Sequence, residues 1–176
     1  MITKNIKTSL KEYFFLNPTI KLRVRQIERK LSLPLPSVIR YTKELEEENI
    51  LKSTEIANIR VYSGDRNSKT YIFEKKMFNL CQLYTSGLLD FLIEQLNNPV
   101  IVVFGSYALG EDIENSDIDL YLETAEKKKI NLQKYEQALQ RKIQIFKYKN
   151  INDLDNKELA NNIINGITLN GFLEVL

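Results

Sequence analysis

The stretch Val100-Ile101-Val102-Val103-Phe104-Gly105-Ser106 and, ten residues later, the stretch Asp117-Ile118-Asp119-Leu120-Tyr121-Leu122 decide the fold of the C-terminal half of this chain. The first run is rich in β-branched residues and predicts a strand that ends at Gly105, where the backbone can turn tightly into a helix. The free N–H groups at the start of such a helix favour bound anions. We therefore expect Gly105 and Ser106 to bind phosphate groups.

Asp117 and Asp119 are two residues apart, so on a strand their carboxylates leave the same face. Two adjacent carboxylates repel each other unless a cation lies between them. Mg²⁺ suits this ligand set, because it binds through one or two carboxylates together with substrate phosphates. The two stretches thus predict a site for Mg²⁺ and a nucleoside triphosphate. The structural alternatives are an ordinary Gly-Ser turn and a solvated Asp-x-Asp strand edge.

Residues 104–110 and 116–120 resemble the minimal nucleotidyltransferases of the DNA polymerase β superfamily. The resemblance implies an α+β domain with a small mixed sheet, Mg²⁺-dependent transfer of a nucleoside monophosphate, and release of pyrophosphate. It also implies that Asp117 and Asp119 are catalytic metal ligands and that Gly105 and Ser106 bind the nucleotide.

The superfamily usually has a third carboxylate on a later strand, and this chain departs from that pattern. The corresponding strand is predicted over residues 142–148, where Gln144 occupies the position expected for the acid. A glutamine can coordinate a metal through its carbonyl oxygen but cannot act as a base near neutral pH. Glu123 lies too far along its strand to substitute, whereas Asp153 or Asp155 could be brought back by a bend. Whether catalysis survives Gln144 is left open by the sequence.

Length and composition limit the number of domains and the classes of function that the chain can have. The 176 residues, 43% hydrophobic and 27% charged, suit one ordinary globular domain or two small ones. We see no run of eighteen apolar residues and no charged-then-apolar leader, so we expect a cytoplasmic protein without a membrane partner. The absence of histidine excludes Ser-His and Cys-His nucleophile pairs, and the single Cys81 excludes an internal disulfide.

The charge is distributed unevenly along the chain. Residues 1–76 carry 16 Lys and Arg against 9 Asp and Glu, a net charge of +7, whereas residues 77–176 carry 9 against 14, a net charge of −5. A basic N-terminal half indicates a nucleic-acid partner.

The periodicity of this basic half predicts three helices and a hairpin. Apolar residues recur at helical spacing before Pro18, across residues 21–31 and across residues 37–49. Two β-prone runs follow at residues 50–54 and 59–62. Three helices followed by a hairpin predict a winged helix-turn-helix.

Residues 24–51 resemble the MarR/ArsR-like helix-turn-helix of archaeal and bacterial regulators. The resemblance implies duplex DNA as the partner, with the third helix in the major groove and the hairpin, or wing, against phosphates. The implied groove residues are Ser37, Arg40, Tyr41 and Lys43, and the implied wing residues are Arg60 and Arg66. The alternative is that these basic side chains only solvate a helical face.

A long apolar stretch connects the two halves. Its periodicity predicts one connecting helix over residues 68–97, between a winged helix-turn-helix at residues 1–67 and a nucleotidyltransferase domain at residues 98–176. So many large side chains on one helix need partners on more than one face, which predicts a homodimer. Residues 154–176 are predicted as a closing helix with an end broken by glycines.

The order of these segments resembles archaeal regulators in which a DNA-binding domain is fused to a minimal nucleotidyltransferase. Two functional hypotheses follow. The chain is an enzyme that transfers a nucleoside monophosphate to a hydroxyl acceptor, such as one on a toxin-like partner protein. Alternatively, it is a transcriptional regulator whose nucleotidyltransferase fold has lost catalysis and serves as a nucleotide sensor or scaffold.

Overall fold

The computed structural model describes residues 5–175, so residues 1–4 and 176, the outer ends of the predicted domains, lie outside the described residues. The chain divides into two compact units, residues 1–78 and 79–176. The division falls within helix α4 (Lys69–Thr85), whose first part belongs to unit 1.

Unit 1 contains three helices and a hairpin, the elements that the periodicity predicts. They are α1 (Ile6–Leu16), α2 (Val24–Leu31), α3 (Leu35–Glu47), β1 (Leu51–Ile56) and β2 (Ile59–Gly64), followed by the first part of α4. Leu22 forms an antiparallel bridge to Tyr62 of β2, which adds a short third strand to the hairpin. The core is formed by buried side chains from every helix, among them Leu10, Phe14, Ile27, Val38, Leu45 and Tyr71.

Unit 2 is built on a four-stranded mixed sheet. Its elements are α5 (Leu88–Gln95), β3 (Val100–Phe104), α6 (Gly105–Leu109), β4 (Ile118–Glu123), α7 (Gln133–Leu139), β5 (Ile143–Tyr148), α8 (Lys157–Ile164) and β6 (Ile167–Asn170). The strand order is β5-β4-β3-β6, with β4 and β5 parallel and the other pairs antiparallel. The small mixed sheet expected from the sequence is therefore present.

The connecting segment differs from the single helix predicted over residues 68–97. The structure has two helices there, α4 and α5, separated at Ser86 and Gly87. The Ser86 hydroxyl donates to the carbonyl of Leu83 and accepts from the N–H of Leu88, while Gly87 adopts a left-handed conformation with φ of 75°. Such local hydrogen bonds compete with the helical pattern, and a left-handed glycine ends a helix.

The C-terminal segment is also different from its prediction. In place of one closing helix over residues 154–176, the structure has α8 and then β6, which pairs antiparallel with β3. Ile167 and Leu169 alternate with Thr168 and Asn170, the two-residue period of a strand. This four-residue run is too short for its alternation to stand out against the apolar residues of α8.

Candidate functional site

The register of β3 and β4 brings Gly105 and Asp119 together. Phe104, the last residue of β3, is the antiparallel partner of Asp119, so the next residue lies beside this carboxylate. Gly105 has a φ of +71°, and a Cβ atom added to it would lie 2.6 Å from Asp119 Oδ2. Only glycine combines this backbone conformation with so close an approach. The phosphate turn and the acidic stretch predicted from the sequence are thus neighbours.

Ser106 follows as the second residue of the short helix α6 and is half-buried. Its carbonyl accepts a hydrogen bond from the N–H of Glu111 at 2.9 Å, which closes the turn that follows α6. In residues 5–175 no hydrogen bond engages the Ser106 hydroxyl, so this group is available to a ligand.

Asp117 and Asp119 form a pair of like charges at the start of β4. Asp117 is exposed, whereas Asp119 is half-buried between the fully buried Ile118 and Leu120. Burial, and then the negative charge of Asp117, raise the pKa of the Asp119 carboxyl above its ordinary value. No ion pair within the described part of the chain involves either acid. A divalent cation would relieve their repulsion.

Gln144 lies on β5, within the strand predicted over residues 142–148. It is the register partner of Asp119 on the parallel strand β5, and its side chain is exposed. Among residues 5–175, no group of three or more His, Cys, Asp or Glu side chains is arranged to hold a metal ion. The oxygen ligands available near Asp119 are therefore two carboxylates and an amide carbonyl. This set fits Mg²⁺, which accepts few protein ligands, and does not fit zinc.

The other acids considered as substitutes lie elsewhere on the sheet. Glu123 Oε2 accepts hydrogen bonds from the Tyr121 hydroxyl at 2.8 Å and from the N–H of Ile151 at 2.9 Å. Burial first, then this hydrogen bond and the charges of Glu123 and Asp153, raise the pKa of Tyr121. Glu123 and Asp153 thus belong to the end of β4 away from Asp119, where Glu123 holds the 3₁₀ turn Ile151–Asp153.

A buried polar network lies behind the loop that carries Asp117. Asp112 accepts a hydrogen bond from the Asn79 amide at 2.7 Å and pairs with Arg141 at 3.5 Å. The side chains of Asp112 and Arg141 are only 1% and 5% exposed. Asn79 also donates to the carbonyl of Tyr107 in α6. The network connects the residues before β5 with the loop before β4, and no spacing in the sequence indicates it.

A cleft of about 460 Å³ opens beside Asp117. The loop before β4 forms one wall, and the exposed face of α7 with the residues just after it forms the other. Arg141 and Lys142, the two residues before β5, also line it. The predicted metal ligand Asp117 is therefore at the edge of a cavity large enough for a small ligand.

The predicted groove residues lie on α3. Arg40 and Lys43 are exposed, whereas Ser37 and Tyr41 are half-buried. Arg40 is partly engaged: its guanidinium lies 4.3 Å from the centroid of the Tyr41 ring, donates to the Tyr41 hydroxyl, and pairs with Glu44 at 3.7 Å. Arg40 and Lys43 are thus the most accessible of the four.

The two predicted wing residues lie in different places. Arg60 pairs with Glu46 of α3 at 2.8 Å. Burial raises the pKa of Glu46, but hydrogen bonds from Ser53 and Arg60 outweigh it and hold the pKa below its ordinary value. Arg66 lies two residues beyond the end of β2, at the base of the hairpin and not on it. Within-chain pairing of Arg60 could not be foreseen, because its partner is fourteen residues away.

Exposed cations that the sequence interpretation did not single out lie on α2 and just before it. They are Lys21, Arg23, Arg25, Arg29 and Lys30. Within the described residues, no carboxylate forms an ion pair with any of them. Arg25 and Arg29 are four residues apart and so share one face of α2. The clearest signal in the sequence was the density of basic residues between positions 21 and 30.

Comparison with known families places the C-terminal part of the chain. Residues 88–170 match the family described as Polymerase beta, Nucleotidyltransferase, so this segment, from α5 through β6, is a nucleotidyltransferase domain. The match covers just under half of the chain and includes Gly105, Ser106, Asp117 and Asp119. No curated protein and no solved structure matches the chain. In the described range, no helix is long and apolar enough to cross a membrane.

Proposed function

We propose that the nucleotidyltransferase domain binds a nucleoside triphosphate together with Mg²⁺ and transfers its nucleoside monophosphate to a hydroxyl acceptor. The observation that carries this proposal is that Gly105 lies close to Asp119. A Cβ atom added at Gly105 would lie 2.6 Å from Asp119 Oδ2. The turn from β3 into α6 at Gly105 therefore lies next to the carboxylate pair. A phosphate group at the turn would therefore lie next to a metal ion held by the pair.

Each residue has a defined role in this proposal. Backbone N–H groups at Gly105 and Ser106, with the Ser106 hydroxyl, bind phosphate oxygens. Asp117 and Asp119 hold Mg²⁺, which supplies charge neutralisation of the phosphates when bound. The acceptor hydroxyl oxygen forms a bond to the α-phosphorus, and the bond from that phosphorus to the α–β bridging oxygen breaks. Pyrophosphate leaves with the electron pair, and the hydroxyl proton passes to water.

The position of Gln144 favours a second candidate function. Because Gln144 stands beside Asp119 where an acid would serve as base, the same domain can bind nucleotide and lack an efficient way to deprotonate the acceptor. In that case the chain is a transcriptional regulator, and the nucleotidyltransferase fold acts as a nucleotide sensor or scaffold.

Both functions include binding of duplex DNA by unit 1. We propose that residues 1–67 act as a winged helix-turn-helix, which the three helices, the hairpin and the Leu22–Tyr62 bridge support. Arg40 and Lys43 of α3 would contact the major groove, with Ser37 and Tyr41 beside them, and the exposed arginines of α2 would contact phosphates. Exposed Phe73 and Met77 of α4 support the proposal of a homodimer.

The test is an incubation of the full chain with Mg²⁺, each α-labelled nucleoside triphosphate and cell extract. We expect Mg²⁺-dependent label on a macromolecule with release of pyrophosphate, lost in Asp119→Asn and kept in Asp90→Asn, a matched change at an exposed acid of α5. Nucleotide binding without transfer would support the regulator. Absence of both binding and transfer would contradict the enzyme and the nucleotide sensor.

A further inference from the structure

Helix α3 exposes an isoleucine among charged residues. Ile39 is 53% exposed, and among the described residues of α3 it is the only large hydrophobic side chain that is exposed. The buried face of the helix is formed by Val38, Thr42 and Leu45, which leaves Ile39 outside the core of unit 1. The fold of unit 1 therefore does not require a large apolar side chain at position 39.

The neighbours of Ile39 indicate the charge of its partner. Arg40 and Lys43 are exposed, and Lys43, four residues further along, lies beside Ile39 on the same face of α3. The acidic residues of α3 begin only at position 44. The N-terminal half of the helix thus combines an apolar side chain with positive charge. A second copy would bring more positive charge to this surface, because residues 1–76 have a net charge of +7, whereas a polyanion complements it.

The major groove of duplex DNA offers one kind of apolar group. The base edges there carry hydrogen-bond donors and acceptors, and thymine adds its C5 methyl group. An isoleucine side chain neither donates nor accepts a hydrogen bond, so a polar base edge that it covers loses water without compensation. A methyl group, by contrast, is favourably buried against another apolar side chain. An exposed isoleucine on a helix in this groove therefore favours thymine.

We propose that Ile39 contacts the C5 methyl group of a thymine and makes α3 selective for a T·A pair, an inference that rests on the duplex binding proposed above. Arg40 is less free to select a base, because its guanidinium lies over the Tyr41 ring and pairs with Glu44. Lys43 is a flexible point charge that attracts acceptors without a fixed geometry. Ile39 therefore adds a base preference that these two cations do not supply.

The experiment selects, from a randomised pool, duplexes that the full chain binds, and then measures the affinity of the selected duplex by gel shift. Each thymine of that duplex is replaced in turn by deoxyuridine, which lacks only the C5 methyl group. We expect the replacement at one thymine position to weaken binding about fourfold, the effect of burying one methyl group. In Ile39→Ala, whose side chain is too short to make the same contact, thymine and deoxyuridine at that position should bind equally.

Two further variants control for folding and for the type of change. Ile39→Ala should fold as the parent does, because Ile39 is exposed and alanine is the better helix former. Ile39→Val keeps a branched apolar side chain and should keep part of the methyl effect. Ile164→Ala is the same change at an exposed isoleucine of α8 in unit 2, and it should keep the whole methyl effect.

Several results would overturn this inference alone. They are a pool that yields no preferred sequence, a selected duplex in which no deoxyuridine weakens binding, and a methyl effect that survives in Ile39→Ala. Complete loss of duplex binding in Ile39→Ala, or a change in its oligomeric mass by light scattering, would also do so, because each assigns Ile39 another role. Failure of the parent to bind any duplex at low salt would overturn the proposed DNA binding and this inference with it.

Discussion

The two units differ in how they arrange acidic side chains. In unit 1, acids and bases neutralise each other across short distances: Lys7 with Glu44 and Glu48, Lys11 with Glu74, Lys52 with Asp65, Arg40 with Glu44, and Arg60 with Glu46. In unit 2, the backbone instead holds two carboxylates, Asp117 and Asp119, next to each other. The second unit also buries an ion pair between Asp112 and Arg141.

This difference distinguishes exposed ion pairs, which affect the surface, from a pair of like charges, which indicates a ligand site. Exposed ion pairs contribute little to stability, because water and salt screen them. A pair of like charges costs free energy in the folded protein and is retained where a ligand compensates for it. The number of charged residues is therefore a poor guide to function, and the arrangement of Asp117 and Asp119 is a better one.

The largest expected effect comes from a methyl group at position 105. Gly105→Ala should weaken Mg²⁺-nucleotide binding at least about 100-fold, because the new Cβ would lie 2.6 Å from Asp119 Oδ2 and displace this carboxylate. The matched control is Gly87→Ala. Gly87 has a similar φ of +75°, but no atom lies within 4 Å of an added Cβ, so this variant should bind as the parent does. Calorimetric affinities of the two variants make the comparison.

The next effect contrasts the buried pair with an exposed one. Arg141→Met should lower the free energy of unfolding by about 3 kcal/mol, because it removes one partner of a buried ion pair. Arg60→Met removes an arginine whose side chain is 61% exposed and should cost less than about 1 kcal/mol. Urea denaturation of both variants measures the difference, and equal losses would contradict the contrast between the units.

A smaller effect concerns the free cations of unit 1. Arg29→Ala should weaken binding to every duplex sequence and lower the slope of log affinity against log salt by about 0.9, the share of one phosphate contact. Arg60→Ala should leave the slope close to that of the parent, because Glu46 already neutralises Arg60. Gel-shift titrations at several salt concentrations give both slopes. If Arg60→Ala lowers the slope more than Arg29→Ala does, the wing and not α2 contacts the phosphate.

The smallest effect is the pH dependence of the metal-free protein. Because the pKa of Asp119 is raised on folding, its stabilising contribution is complete below the ordinary carboxyl pKa and is lost as pH rises through the raised value. Asp119→Asn does not titrate, so above that pH it should melt about 1–3 °C higher than the parent. The two melting temperatures should converge in acid. A variant that melts lower than the parent at pH 8 would show that the carboxylate stabilises the fold.

The sheet around the site was predictable because its signals are local. The β-branched run before Gly105, the two-residue spacing of Asp117 and Asp119, and the later strand with Gln144 each lie within a few residues. The absence of an acid from the position of Gln144 was visible for the same reason. The register that sets Asp119 opposite Phe104 is not local, because residues 105–117, including α6, connect β3 to β4.

The remaining features depend on residues far apart in the chain. Asp112, Arg141 and Asn79 come from three elements, and only the folded chain shows that they meet. The break at Ser86 and Gly87 is hidden in the sequence, because both flanking helices are apolar. The charge count of the N-terminal half could not show that Arg60 pairs with Glu46, because this pairing depends on the fold.

The most direct test of the central claim, that Asp117 and Asp119 form a metal-dependent nucleotide site, is titration calorimetry of the unmodified chain with a nucleoside triphosphate in Mg²⁺ and in EDTA. We expect binding that is at least about tenfold tighter with Mg²⁺, because the cation would offset the repulsion between the two carboxylates and neutralise phosphate charge. Equal affinity with and without Mg²⁺ would contradict the claim.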